Sequence, residues 1–270
     1  MSTLSTAPRA ARRRSPSPTT LVAVLCLVWL VAPLLPMLLW AGADRWSAPG
    51  RLPQDWGLDG WRDALAAGVL PAAGRSLLLG TAVAVLAVPL GAAAGRALGW
   101  RELRRPVPVA LVLLAPVLLP PFAVSLGLDV VVLRLGIPDV VAVVIVLVAF
   151  AVPYCAYTVA AAYAEVDPRL EEQARALGAS PRQARWRVGV PAVRSSLVIA
   201  AALAFLVGWS DYVVTLLIGG GQVISLPVLL GSAAAGSGND PAVAALGLAT
   251  AAPPVLLLGV LGLGAWLRRR

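Results

Sequence analysis

Side chains able to do chemistry are few in this sequence. Among its 270 residues there is no histidine and no lysine. The two cysteines, Cys26 and Cys155, fall inside apolar runs without partner spacing, so metal ligation and a disulfide framework are both unsupported. They read as small core residues. A glycine-rich phosphate loop needs a lysine to reach the phosphates, so if ATP drives this protein another chain must hydrolyse it. No nucleophile stands beside a base, and the chain is not expected to be an enzyme. What remains is a pair of carboxylates inside apolar runs, Asp129 and Asp211. A charge at membrane depth is costly and normally faces a bundle interior or a water-filled path, which makes each a candidate pathway residue. Asp129 has an alternative in Arg134 or in snorkelling to the outer interface. Asp211, in GWSDYVVTLLIGGG, lies deeper.

The rest of the chain has to mount these groups in a membrane. A hydrophobic content of 59%, 13% charged residues and a mean hydropathy of +0.85 exclude an ordinary soluble domain and point to an all-α polytopic membrane protein. Residues 1–20 are rich in Ser, Thr, Pro and Arg and read as a disordered cytoplasmic tail. Six spans are expected near residues 21–40, 76–95, 107–132, 140–162, 197–218 and 242–267. The first could be mistaken for a secretory signal, with Arg12 to Arg14 before it and Ala41, Gly42 and Ala43 after it. Its apolar core exceeds the roughly 7–15 residues of such signals. Leu58, Trp61, Leu65 and Val69 form a stripe expected to lie in the interface. Gly91 and Gly95 allow close helix approach in the second span, and Pro116, Pro120 and Pro121 should tilt or break the third.

The net charge of +9 would suit nucleic acid, but the arginines are distributed by loop rather than gathered on one face, so no nucleic-acid partner is expected. On the six-span topology, 17 of 22 arginines fall on the side of the termini and of the loop at 163–194. That asymmetry places both termini and this loop in the cytoplasm.

The loop is the one long polar segment between strongly apolar ones. Asp167 and Pro168 make a helix start, and Val166, Leu170, Ala174 and Leu177 form an apolar stripe, with Glu171, Glu172 and Arg175 pointing elsewhere. Gly178 supplies the stop. Ser180, Pro181 and Gln183 then spell a capping box that starts a second helix bearing Arg182, Arg185, Trp186 and Arg187, and Pro191 resets the backbone. A solvated connector needs no such series, so a docking element is expected.

The spacing Glu172-Gln173-Ala174, three residues, Gly178, nine residues, Val188-Gly189-Val190-Pro191 resembles the EAA loop of permease subunits of binding-protein-dependent ABC importers. The Glu, the second Ala, the Gly and the Pro fall in register. Gln173 replaces the first Ala, Val188 and Val190 replace Ile and Leu, Ser195 stands where many members have a second Pro, and Arg75 replaces an Asn. The resemblance runs from about Ser76 to Leu267. It implies a six-helix, type I importer permease of the prokaryotic inner membrane. Its coupling loop, with Leu170, Glu172, Ala174, Leu177, Gly178 and Pro191, would dock on a cytoplasmic ATPase dimer that binds the ATP. A second permease, identical or sister, and an extracytoplasmic binding protein complete the implied assembly, and no cofactor sits in this chain. The stretch around Asp211 is similar to the polyamine, ferric-iron and thiamine branch, which implies a polyamine, with iron or thiamine as alternatives. A rival of another class is a secondary transporter or channel working through Asp129 and Asp211.

Cysteine-free protein given single cysteines at Ser180 and at Ser237 should label from opposite sides of the membrane. Labelling of both from outside would contradict the arginine-derived topology.

Overall fold

Proline and glycine decide where the apolar runs of this chain bend. The computed structural model describes residues 22, 25, 28, 29, 31–47, 50, 52–236 and 240–267. The expected N-terminal tail, most of the first span, Cys26, Ser237 and the last three arginines lie outside the described residues. A short helix α1 (Leu34–Ala41) leads into an antiparallel ribbon of β1 (Ala43–Arg45) and β2 (Asp55–Trp56), then α2 (Asp59–Ala66). Gly68, at φ +92°, turns the chain from α2 into α3 (Val69–Gly99). The expected second span is the middle of this 31-residue helix. At about 1.5 Å per residue it is longer than a hydrocarbon core of roughly 30 Å, and Arg96 lies in its last turn.

The third apolar run is broken into α4 (Pro106–Leu118) and α5 (Pro121–Leu135), which meet at 94°. Pro120 disfavours a helical Leu119, and both residues are extended (ψ 137° and 122°). Helix α6 (Asp139–Glu165) is continuous through Pro153. It packs on α3 through small residues. A Cβ added at Gly95 would lie 2.6 Å from the Ala156 carbonyl oxygen, and one at Gly99 2.6 Å from that of Ala160. Val83, Ala87, Leu147, Cys155 and Val159 are buried along this seam.

After the polar hairpin, α10 (Arg194–Ser210) crosses α3 where Gly208 meets Gly80, with a virtual Cβ only 2.8 Å from the Gly80 Cα. Here the structure departs from expectation. The run 197–218 is not one continuous helix, because α10 ends at an extended Asp211 (ψ 130°) and α11 (Val213–Ile218) starts anew. Gly220 and Gly221, at φ +51° and +76°, then turn the chain. The segment expected as an outside loop contains α12 (Leu226–Ala235), whose first residues are buried. Its start is held by α3, because Leu226 N–H donates to Ser76 Oγ (2.8 Å) and Arg75 Nη1 donates to the Ile224 carbonyl (3.2 Å). Helix α13 (Asp240–Leu267) closes the chain. Among the described residues, three helices are long and apolar enough to cross a membrane, or five if each bent pair is one span.

Candidate docking hairpin and buried carboxylates

The polar hairpin is built from local rules. Asp167 Oδ1 accepts from Arg169 N–H (2.9 Å) at the start of α7 (Arg169–Ala176). Gly178, at φ +93°, reverses the chain while Ala179 N–H closes onto the Ala174 carbonyl (3.0 Å). Ser180 and Gln183 form both arms of a capping box, at 3.2 and 2.9 Å, over α8 (Pro181–Ala184). A π-helical turn, Arg185–Gly189, and α9 (Val190–Ala192) lead back to the bundle, and residues 181–192 bend 76° against α10.

The residues expected to couple are placed unevenly. Leu170, Glu172, Leu177 and Gly178 are exposed and Ala174 is half-buried. Leu177 is 90% exposed at the tip, and Trp186 is exposed on the return arm. Pro191 lies apart, in α9 at the base of the hairpin. Water is a poor neighbour for Leu177, and none of the described residues covers it.

The sequence reading missed the residue that holds the hairpin. Glu171, taken to point away, is the only buried charged residue among the described ones. Its Oε1 accepts from Arg96 Nη1 at 3.0 Å, with side chains 10% and 16% exposed. Arg96 Nε also reaches Glu102 Oε1 (3.3 Å), and the guanidinium lies 4.5 Å from the Trp100 ring centroid. Trp100 Nε1 in turn donates to the Val166 carbonyl (3.0 Å), and its ring meets Tyr163 edge-on. Gly189 completes the nest, since any Cβ there would collide with Glu171 Oε1. That missing Cβ is the sequence signal. Breaking a pair this enclosed costs about 3–5 kcal/mol, against roughly 0–1 for an exposed one. Beside the pair, Arg175, Pro181, Arg182, Arg185 and Trp186 line a polar cleft of about 450 Å³.

The two carboxylates expected at membrane depth differ in use. Asp211 is at the break before α11, where its Oδ2 accepts from Thr215 N–H (2.8 Å) and Thr215 Oγ1 (2.9 Å) and its Oδ1 from Val214 N–H (3.4 Å). It caps a helix. Asp129 is half-buried on α5, on one stripe with buried Ser125 and Val132, and no ion pair joins it to Arg134. Helix α5, which carries Asp129, packs on α11, which follows Asp211. Among the described residues, no cluster of three or more His, Cys, Asp or Glu could hold a metal ion.

Bent apolar helices around a short polar hairpin are the frame of a membrane protein. Residues 107–269, more than half of the chain, match the family described as binding-protein-dependent transport system inner membrane component, and the chain belongs to that family. Among its relatives, the trehalose transport system permease protein SugB of Mycobacterium tuberculosis is 39% identical over 69 residues. That match spans 26% of this chain and 25% of the relative. Among solved structures, a bacterial ABC transporter involved in the import of the acidic polysaccharide alginate superposes with a TM-score of 0.68. The superposition covers 95% of this chain and 99% of that one, at 17% identity, a likeness of fold.

Asp211→Ala should lower thermal stability in detergent by about 1 kcal/mol, while Asp211→Asn, which also caps, should stay near the parent. Equal stability of all three proteins would release Asp211 from its capping role.

Proposed function

We propose that the chain is the permease subunit of an ABC importer for a sugar or oligosaccharide, and that its hairpin docks on a separate ATPase. The observation that carries the docking reading is the tip itself. Leu177 stands 90% exposed on a turn made rigid by Gly178 and by the Ser180–Gln183 capping box. An ordered helix with an uncovered apolar residue is suited to a partner's socket. Leu170 and Ala174 extend that face on the same short helix, Glu172 adds an exposed charge beside it, and Pro191 stiffens the return to α10. ATP is bound and hydrolysed by the partner dimer. A second permease, identical or sister, lines the other side of the path, and an extracytoplasmic binding protein delivers the solute. Both termini and the hairpin then face the cytoplasm, in keeping with the arginine distribution.

For the substrate, SugB and the alginate importer both carry carbohydrates by their names, which favours a sugar over the polyamine, iron or thiamine first expected. The sugar reading rests on these relatives. The Asp211 carboxylate is held by three donors on α11, and Asp129 is the carboxylate that an ion-coupled rival would have to use. Closure of the ATPase dimer would pull on the hairpins and rock the helices between outward and inward access.

Gly178→Val should strain the turn by about 1–3 kcal/mol and, like Glu172→Lys, should abolish co-purification of the ATPase while the spans still insert. Reconstituted vesicles should take up labelled trehalose or an alginate oligosaccharide, not spermidine. Normal co-purification in both variants would remove the docking reading, and uptake of spermidine alone would overturn the sugar reading.

A further inference from the structure

We propose that Arg96 is a positioning residue that makes α3 move as one body with the docking hairpin. The inference rests on the docking reading above but concerns a different link, the one between hairpin and membrane helices. Helix α7 packs mainly on α8 and the π-helical turn, both within the hairpin. Its chain connections to the bundle run through the extended Val166 at one end and the bend at Val193 at the other. Such joints give direction to a force poorly. Arg96 supplies a third connection that spans 75 residues of sequence and is made from a planar, multi-donor group.

Several independent features aim Arg96 at this role. Its Glu171 arm is the enclosed one, while the Glu102 arm has a carboxylate side chain 46% exposed. Arg101, at φ +53°, is the only described non-glycine residue with a positive φ. The strained turn closes with Glu102 N–H on the Ala97 carbonyl (3.0 Å) and folds Glu102 back over Arg96. Trp100 lies against the guanidinium and simultaneously holds the Val166 carbonyl, so the ends of α3 and α6 and the start of the hairpin meet at one point. Behind them, α3 and α6 are locked by the Gly91, Gly95 and Gly99 contacts, with no room for sliding bulk. A displacement of α7 is therefore delivered to α3 through the buried pair, and from α3 to α12 through Ser76 and Arg75 at the far end. The last link ties the hairpin's movement to the opposite end of the bundle. That is where access must open when the cytoplasmic end closes.

The test uses the full chain with its ATPase, Cys26 replaced by Ala, and nitroxide labels at Leu86→Cys on α3 and Ala176→Cys on α7, both exposed. Electron-electron distance measurements should give one narrow distribution in the parent, unchanged between nucleotide-free and ATP-bound complexes. Arg96→Gln and Glu171→Gln should lose the narrow distribution, and their mean distance should shift when ATP binds. A purely structural role predicts no nucleotide-dependent shift between the labels. Glu102→Gln, which removes only the exposed arm, should behave as the parent. A distribution in Arg96→Gln as narrow and as nucleotide-independent as the parent's would overturn the proposal. If Arg96→Gln does not fold, the near-isosteric Glu171→Gln carries the same comparison. If the parent does not bind an ATPase at all, the docking reading falls, and the width of the distribution in the isolated permease still decides whether Arg96 locks the hairpin to α3.

Discussion

A carboxylate withdrawn from water needs a cation within reach, and among the described residues Arg96 is the one that forms an ion pair with Glu171. Much of the hairpin end of the bundle follows from this pair. The α3 helix must be long enough to bring Arg96 to the hairpin. Gly189 must lack a side chain, and α6 must end where Trp100 can hold Val166. The close α3–α6 seam, built on glycines against Ala156, Val159 and Ala160, sets the relative height of these ends. A hairpin that sequence alone would leave on two loose connections is thereby seated on the bundle.

The membrane part follows a second constraint, that backbone groups in hydrocarbon cannot be left unpaired. Each break in an apolar run is accompanied by a local remedy. Pro120 and Pro121 start α5 where N–H groups would be orphaned anyway, and Asp211 accepts the first donors of α11. The start of α12 is met by the Ser76 hydroxyl from α3. Breaks of this kind let one part of a run stay packed in the core while the other changes direction, which a path between two access states requires.

What could be read from the sequence divides along the same line. Gly178, the Ser180–Gln183 box and the Pro116–Pro121 cluster speak through neighbours within a few residues, and local spacing sufficed for them. Glu171 was misplaced because it sits one residue from Leu170, outside the apolar stripe, and its partner lies in another span. Only Gly189 hinted at it. At Asp211 no proline or glycine stands at residues 209–213 to announce the break. The donor four residues on, Thr215, was the available sign of a cap. The buried start of α12 was lost for a related reason: flanking glycines made the segment look like a loop, and tertiary packing decided otherwise.

The account stands or falls on whether a partner covers the hairpin tip. The most direct measurement is the alkylation rate of Leu177→Cys by a membrane-impermeant maleimide, in the Cys26→Ala background, before and after the ATPase is stripped from the purified complex. Strong protection in the complex, relieved on stripping, is the expected result. Equal rates in the two states would mean that Leu177 faces solvent throughout, and the hairpin would then not be the docking element.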